Sequence, residues 1–123
     1  MPWPRIGIGF LSLLLLGPVN GWTHAYLVKS IPARRANLSQ ALARVQLWFN
    51  ERIEGRFSHL AIWDAEGKQV DNGDLQVGPD DPKKLSVSVP SLLSGTYIVK
   101  YRVLSVDGHI VEGQFPFTLR RRP

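Results

Sequence analysis

His24 stands directly behind a short apolar leader, and Asp107, Gly108 and His109 follow one another near the other end of the chain. A cut immediately before His24 gives the new terminus two nitrogen donors at once, the α-amine and the imidazole. Asp107 can add a carboxylate oxygen and His109 a second imidazole. Three nitrogens and one oxygen in a tetragonal arrangement suit Cu(II), the tightest binder among the common divalent first-row ions. The α-amine has an unperturbed pKa of about 8, so the ion has to displace its proton and binding weakens as pH falls. Asp107 and His109 share a face if their segment is extended. Gly108 between them tolerates a turn equally well.

The leader carries Arg5, an apolar stretch from Ile6 to Leu16 and the breaker pair Gly17-Pro18. That is the order of a cleavable export signal. It is too short for a spanning helix, which needs about 20 apolar residues. Cleavage before His24 divides the chain into a signal peptide, residues 1–23, and one mature domain, residues 24–123. The cut leaves Gly21 and Thr23 where small residues are usual. A cut after Gly21 places Val19 and Gly21 there and exposes Trp22-Thr23-His24 instead. That second terminus could wrap Cu(II) or Ni(II) in a square plane from the amine, two deprotonated amides and the His24 imidazole, with no need of His109. Only the first cut uses all four donors.

The residues that are missing narrow the chemistry further. Cysteine is absent, so an exported domain has no disulfides to rely on and no thiolate to offer Cu(I), Zn(II) or iron–sulfur clusters. Met1 is the only methionine and leaves with the leader, which removes a thioether site as well. Loss of Arg5 turns 15 basic residues into 14 against 10 acidic ones, a formal +4. No interleaved basic and aromatic strand or helix-turn-helix pattern accompanies that charge, which speaks against nucleic acid as a partner. Arg120-Arg121-Arg122 reads as a solvated tail. Nothing in the chain resembles a nucleophile elbow, a phosphate loop or a paired-carboxylate active site, so no enzyme is expected.

Positioning the donors falls to strands. Val45, Leu47 and Phe49 alternate with polar or bulky neighbours. So do Leu60 and Ile62, Leu85, Val87 and Val89, the set Tyr97 to Val103, and Phe115, Phe117 and Leu119. Turn pairs separate them: Glu66-Gly67, Asn72-Gly73, Gly78-Pro79, Ser94-Gly95 and Asp107-Gly108. Short strands with turns between them predict an all-β sandwich or barrel. Asn37 to Ala43 reads as a short helical turn, and Asp71 to Lys84 as the least ordered loop. Tyr97, opening a strand after Gly95-Thr96, is either an ordinary buried aromatic or the tyrosine corner of a Greek-key sandwich. Trp48 and Trp63 read as covers of the sandwich, and His59 as structural or exposed.

Several segments taken in order resemble the periplasmic copper-resistance CopC family. They are His24-Ala25-Tyr26-Leu27 with Ser30-Ile31-Pro32-Ala33, and Val45 to Glu51. Phe57-Ser58 and Gly95 to Val103 follow, and Ser105-Val106-Asp107-Gly108-His109 with Gly113 to Phe117 closes the match. The resemblance implies an immunoglobulin-like Greek-key β-sandwich of about seven strands. It implies one Cu(II) per chain, held by the processed terminal His24 with Asp107 and His109. Glu51 matches a glutamate near the site in some members, as a weak ligand or hydrogen-bond acceptor. The family's methionine-rich Cu(I) loop has no counterpart between Ile62 and Leu85, which implies a Cu(II)-only member. The implied setting is the periplasm, as a monomer, with an inner-membrane copper transporter of the CopD type as partner.

Two other classes use the same residues. A terminal histidine with a second histidine also forms the brace of copper monooxygenases, but those need an open coordination position that Asp107 would fill. A metal-free adhesion or assembly module is the third reading, because a sandwich by itself does not specify function.

Overall fold

The alternating segments form strands that bury one side each. The computed structural model describes residues 25–121. Within them run β1 (Leu27–Ile31), β2 (Asn37–Leu38), β3 (Arg44–Phe49), β4 (His59–Trp63), β5 (Gln76–Val77), β6 (Lys84–Ser88), β7 (Gly95–Leu104) and β8 (Ile110–Leu119). One four-stranded sheet has the order β1-β3-β6-β5 and the other β2-β8-β7-β4. Every pairing is antiparallel except β2 with β8, which is parallel. The predicted Greek-key sandwich is therefore present, with two of its strands only two residues long.

Val45, Leu47 and Phe49 from the first sheet meet Ile62, Val99, Phe115, Phe117 and Leu119 from the second in one core. Burying each such side chain contributes about 1.5–3 kcal/mol, and this burial is the main source of stability in a chain without disulfides. Phe49 meets Tyr101 edge-on across the two sheets at 5.8 Å between ring centres. Outward positions on β3 carry Trp48, whose ring lies 4.5 Å from the Lys29 ammonium and 5.3 Å from that of Lys84. Trp48 thus covers the outside of the first sheet under two lysine side chains. The Tyr97 hydroxyl donates to the carbonyl of Leu93, four residues upstream, at 2.7 Å. This is the tyrosine-corner arrangement.

Three expectations need correction. Asn37 to Ala43 is not helical: Asn37 and Leu38 pair with Thr118 and Leu119, and the rest is extended or bent. Seven residues support too little helix on their own to resist an available strand edge. The segment from Asp71 to Lys84 is tied down. Asp71 accepts from the amides of Ile62 and Gly73, Asp74 accepts from the amide and hydroxyl of Ser88, and β5 adds a ladder to β6. The basic tail is anchored too, since the Arg121 guanidinium donates to Ser91 Oγ and its amide to Ser94 Oγ, each at 2.9 Å. The expected signal peptide and its cleavage point fall outside the described residues.

Candidate metal centre

β7 and β8 form a long hairpin closed by Ser105 to His109. The Ser105 amide donates to the His109 carbonyl at 2.9 Å, and the Gly108 amide to the Ser105 carbonyl at 2.9 Å. Gly108 adopts φ +92, a left-handed conformation that side-chain-bearing residues rarely take. Asp107 and His109 therefore share a side of a turn rather than of a strand. Asp107 Oδ1 lies 3.1 Å from His109 Nδ1, and the two side chains are 36% and 38% exposed. The Ser105 hydroxyl donates to the same Asp107 oxygen. That bond, opposed by partial desolvation and helped by His109, holds the Asp107 carboxyl below the usual aspartate range. Asp107 is thus a charged acceptor beside an imidazole, a donor pair suited to a divalent ion of the Cu(II) type.

A second run of backbone brings the first described residues to this end of the sandwich. After β3 the chain bends at Asn50 and Glu51 and crosses from the first sheet to the second. The amide of Val106 donates to the carbonyl of Arg52, and that of Glu54 to the carbonyl of Leu104, both at 2.9 Å. Ile53 bridges Ser105. At the other end of the same segment, Tyr26 and Asn50 are joined by two hydrogen bonds, of 2.6 and 3.1 Å. Ala25 and Tyr26 thereby sit beside the segment that carries the Asp107–His109 turn.

His24 itself lies outside the described residues, so its predicted place near Asp107 and His109 does too. Among the described residues no group of three or more His, Cys, Asp and Glu side chains has metal-holding geometry. Asp107 and His109 form a pair and Glu51 does not complete it. His59 is exposed on β4 opposite Arg102 and has no part in the Asp107–His109 pair. A concavity of about 540 Å³ lined by Trp63, Asp64, Thr96, Ile98, Lys100 and Gln114 lies on the outer face of the second sheet, remote from the donors. Sequence reasoning missed Ser105 and Asn50, whose roles depend on partners that spacing alone does not disclose.

The sandwich fixes the fold class, and comparison with known proteins supplies the family. The CopC domain profile matches residues 27–120, and the chain belongs to the CopC family of copper-resistance proteins. The family's members bind copper and are not enzymes. The copper transport protein CutJ of Bacillus subtilis is 31% identical over 116 residues, which cover 94% of this chain and 21% of that protein. The chain therefore spans about a fifth of that relative's length. Among solved structures, CopC from Methylosinus trichosporium OB3b superposes with a TM-score of 0.72 at 36% identity, covering 81% of this chain and 97% of that one. PcoC, a methionine-rich copper resistance protein from Escherichia coli, gives 0.70 at 27% identity, covering 79% and 99%.

Proposed function

We propose that this chain is an exported Cu(II) carrier that sequesters or delivers copper in the periplasm. Its site is completed by the amine and imidazole of His24 after residues 1–23 are removed, with Asp107 and His109 as the remaining ligands. The observation that carries this reading is the convergence at one end of the sandwich. The backbone two residues past His24 and the turn bearing Asp107 and His109 are both attached to the segment from Asn50 to Glu54. Glu51, on that segment, is a weak ligand or an acceptor beside the site.

The absence of cysteine, and of methionine beyond Met1, supports a Cu(II)-only site. PcoC, described as methionine-rich, differs in this respect. The carrier acts as a monomer. Its partner is an inner-membrane copper transporter of the CopD type, a reading supported by CutJ, in which the matched region is only 21% of a copper transport protein.

The test is intact-mass measurement of the exported protein followed by Cu(II) titration under electron paramagnetic resonance. One equivalent with a nitrogen-rich tetragonal signal is expected for a chain starting at His24. His109→Ala should weaken binding by more than about 100-fold, beyond the usual cost of losing an outer-sphere partner. His59→Ala should leave it unchanged. A terminus at Trp22, together with full affinity in His109→Ala, would replace this site by one made from Trp22-Thr23-His24 alone.

A further inference from the structure

A ligand at a chain terminus faces a physical difficulty, because the first residues of a domain fray unless something ties them down. Here the tie is a side chain. The amide of Asn50 donates to the carbonyl of Tyr26 at 3.1 Å, as in any antiparallel pair. The return bond departs from that pattern: the Tyr26 amide donates to Asn50 Oδ1, at 2.6 Å, where a ladder would use the backbone carbonyl. The chain bends out of the first sheet at this residue to reach the second. The Asn50 carboxamide extends the ladder by one bond beyond the point where the backbone departs.

The opposite half of the site has its own tie. Ser105 is 1% exposed, and its hydroxyl accepts the His109 amide at 3.2 Å while donating to Asp107 Oδ1. The His109 carbonyl also lies within reach of this hydroxyl, at 3.3 Å. A hydroxyl has one proton, and the nearer Asp107 oxygen takes it. Asp107 Oδ1 is then engaged by Ser105 and lies 3.1 Å from His109 Nδ1, so one hydroxyl fixes the carboxylate beside the imidazole.

We infer that Asn50 and Ser105 are the positioning residues of the copper site: Asn50 holds the backbone two residues after His24, and Ser105 sets the orientation of Asp107 and His109. The inference rests on the site proposed above. Both residues act through others and neither touches the ion. Together they make the site rigid before copper arrives, so that little ordering free energy is lost on binding.

The test uses the full chain, exported and confirmed by mass to start at His24. Asn50→Ala and Ser105→Ala should each weaken Cu(II) binding by about 10–100-fold in competition with a chromogenic chelator. Each should also alter the copper hyperfine splitting, which loss of fold stability alone does not move. Asn50→Asp keeps an acceptor for the Tyr26 amide and should restore the wild-type spectrum. Asn50→Gln displaces that acceptor by one methylene and should alter the spectrum, so it tests the geometry even if the alanine variant does not fold. Wild-type spectra and affinities in Asn50→Gln and Ser105→Ala, with binding still lost in His109→Ala, would overturn the positioning roles and leave the site standing. Full affinity in His109→Ala would instead remove the site on which they rest.

Discussion

The amide of Val106 donates to the carbonyl of Arg52 at 2.9 Å, and through this bond a hairpin of one sheet is fastened to a crossing segment that begins in the other. The geometry of the donor pair therefore depends on the crossing from Asn50 to Glu54 as much as on the hairpin. Changes in the core should alter stability with little effect on copper, whereas changes in this crossing or in the turn should alter copper binding first.

Gly108→Ala is the sharpest probe of the turn. A methyl group there meets nothing within 4 Å, so the penalty is conformational, from φ +92, and not steric. Such strain costs about 1–3 kcal/mol. The variant should melt several degrees lower and bind Cu(II) more weakly, because relaxation of the turn moves Asp107 and His109 relative to each other. Thermal melting and chelator competition on the same sample check both effects.

The stability that Asp107 and Asp74 add to the metal-free protein should be complete above about pH 5 and be lost below it. Asp107 and Asp74 both titrate below the ordinary 3.8, held there chiefly by the hydroxyls of Ser105 and Ser88. A native pKa below the unfolded one adds stability that is complete above the unfolded value and disappears as pH falls through the native value. Ser105→Ala and Ser88→Ala should each reduce the acid dependence of urea midpoints between about pH 5 and pH 2. A dependence identical to wild type in both variants would contradict the assignment.

Tyr97→Phe should separate fold from site. It deletes the 2.7 Å bond to the Leu93 carbonyl while leaving the ring stacked 5.5 Å from that of Phe117. The loss should be about 1 kcal/mol, or about 4–8 °C in melting temperature for a domain of this size. Cu(II) affinity should not change, since Tyr97 lies at the end of β7 remote from the hairpin turn.

Reduction should empty the site. With residues 1–23 removed as proposed, the chain has no methionine and no cysteine to hold the softer Cu(I) ion. Ascorbate added to the loaded protein with a Cu(I) chelator present should transfer the metal to the chelator stoichiometrically. Retention of copper against the chelator would reveal a Cu(I) site built from imidazoles.

Strand identity was legible because a period of two over Val45 to Phe49, Tyr97 to Val103 and Phe115 to Leu119 admits one burial pattern, and these residues are the core. What escaped was whatever depends on distant partners. Asn37-Leu38 resembles a helix start until Thr118-Leu119 offers it an edge. The acidic run from Asp71 to Asp74 looks solvated until Ile62 and Ser88 supply amides for it. Asp107 and His109 stood out by type and spacing, but their meeting across a left-handed glycine could equally have been an extended strand. Asn50 and Ser105 lie in segments that carry the resemblance, but neither signalled a role of its own, because its consequence lies in which oxygen meets which amide.

The crossing from one sheet to the other has a last consequence. Under the proposed ligand set, copper joins a residue at the head of β1 to the turn between β7 and β8, that is, one layer of the sandwich to the other. In a chain without cysteine the ion becomes a removable cross-link that closes nearly the whole domain into a loop. A ligand bound only by the folded state adds about 4 kcal/mol at a thousand times its Kd. The loaded protein would then outlast the empty one wherever proteases sample unfolded chains, and copper supply would regulate how much of its own carrier survives.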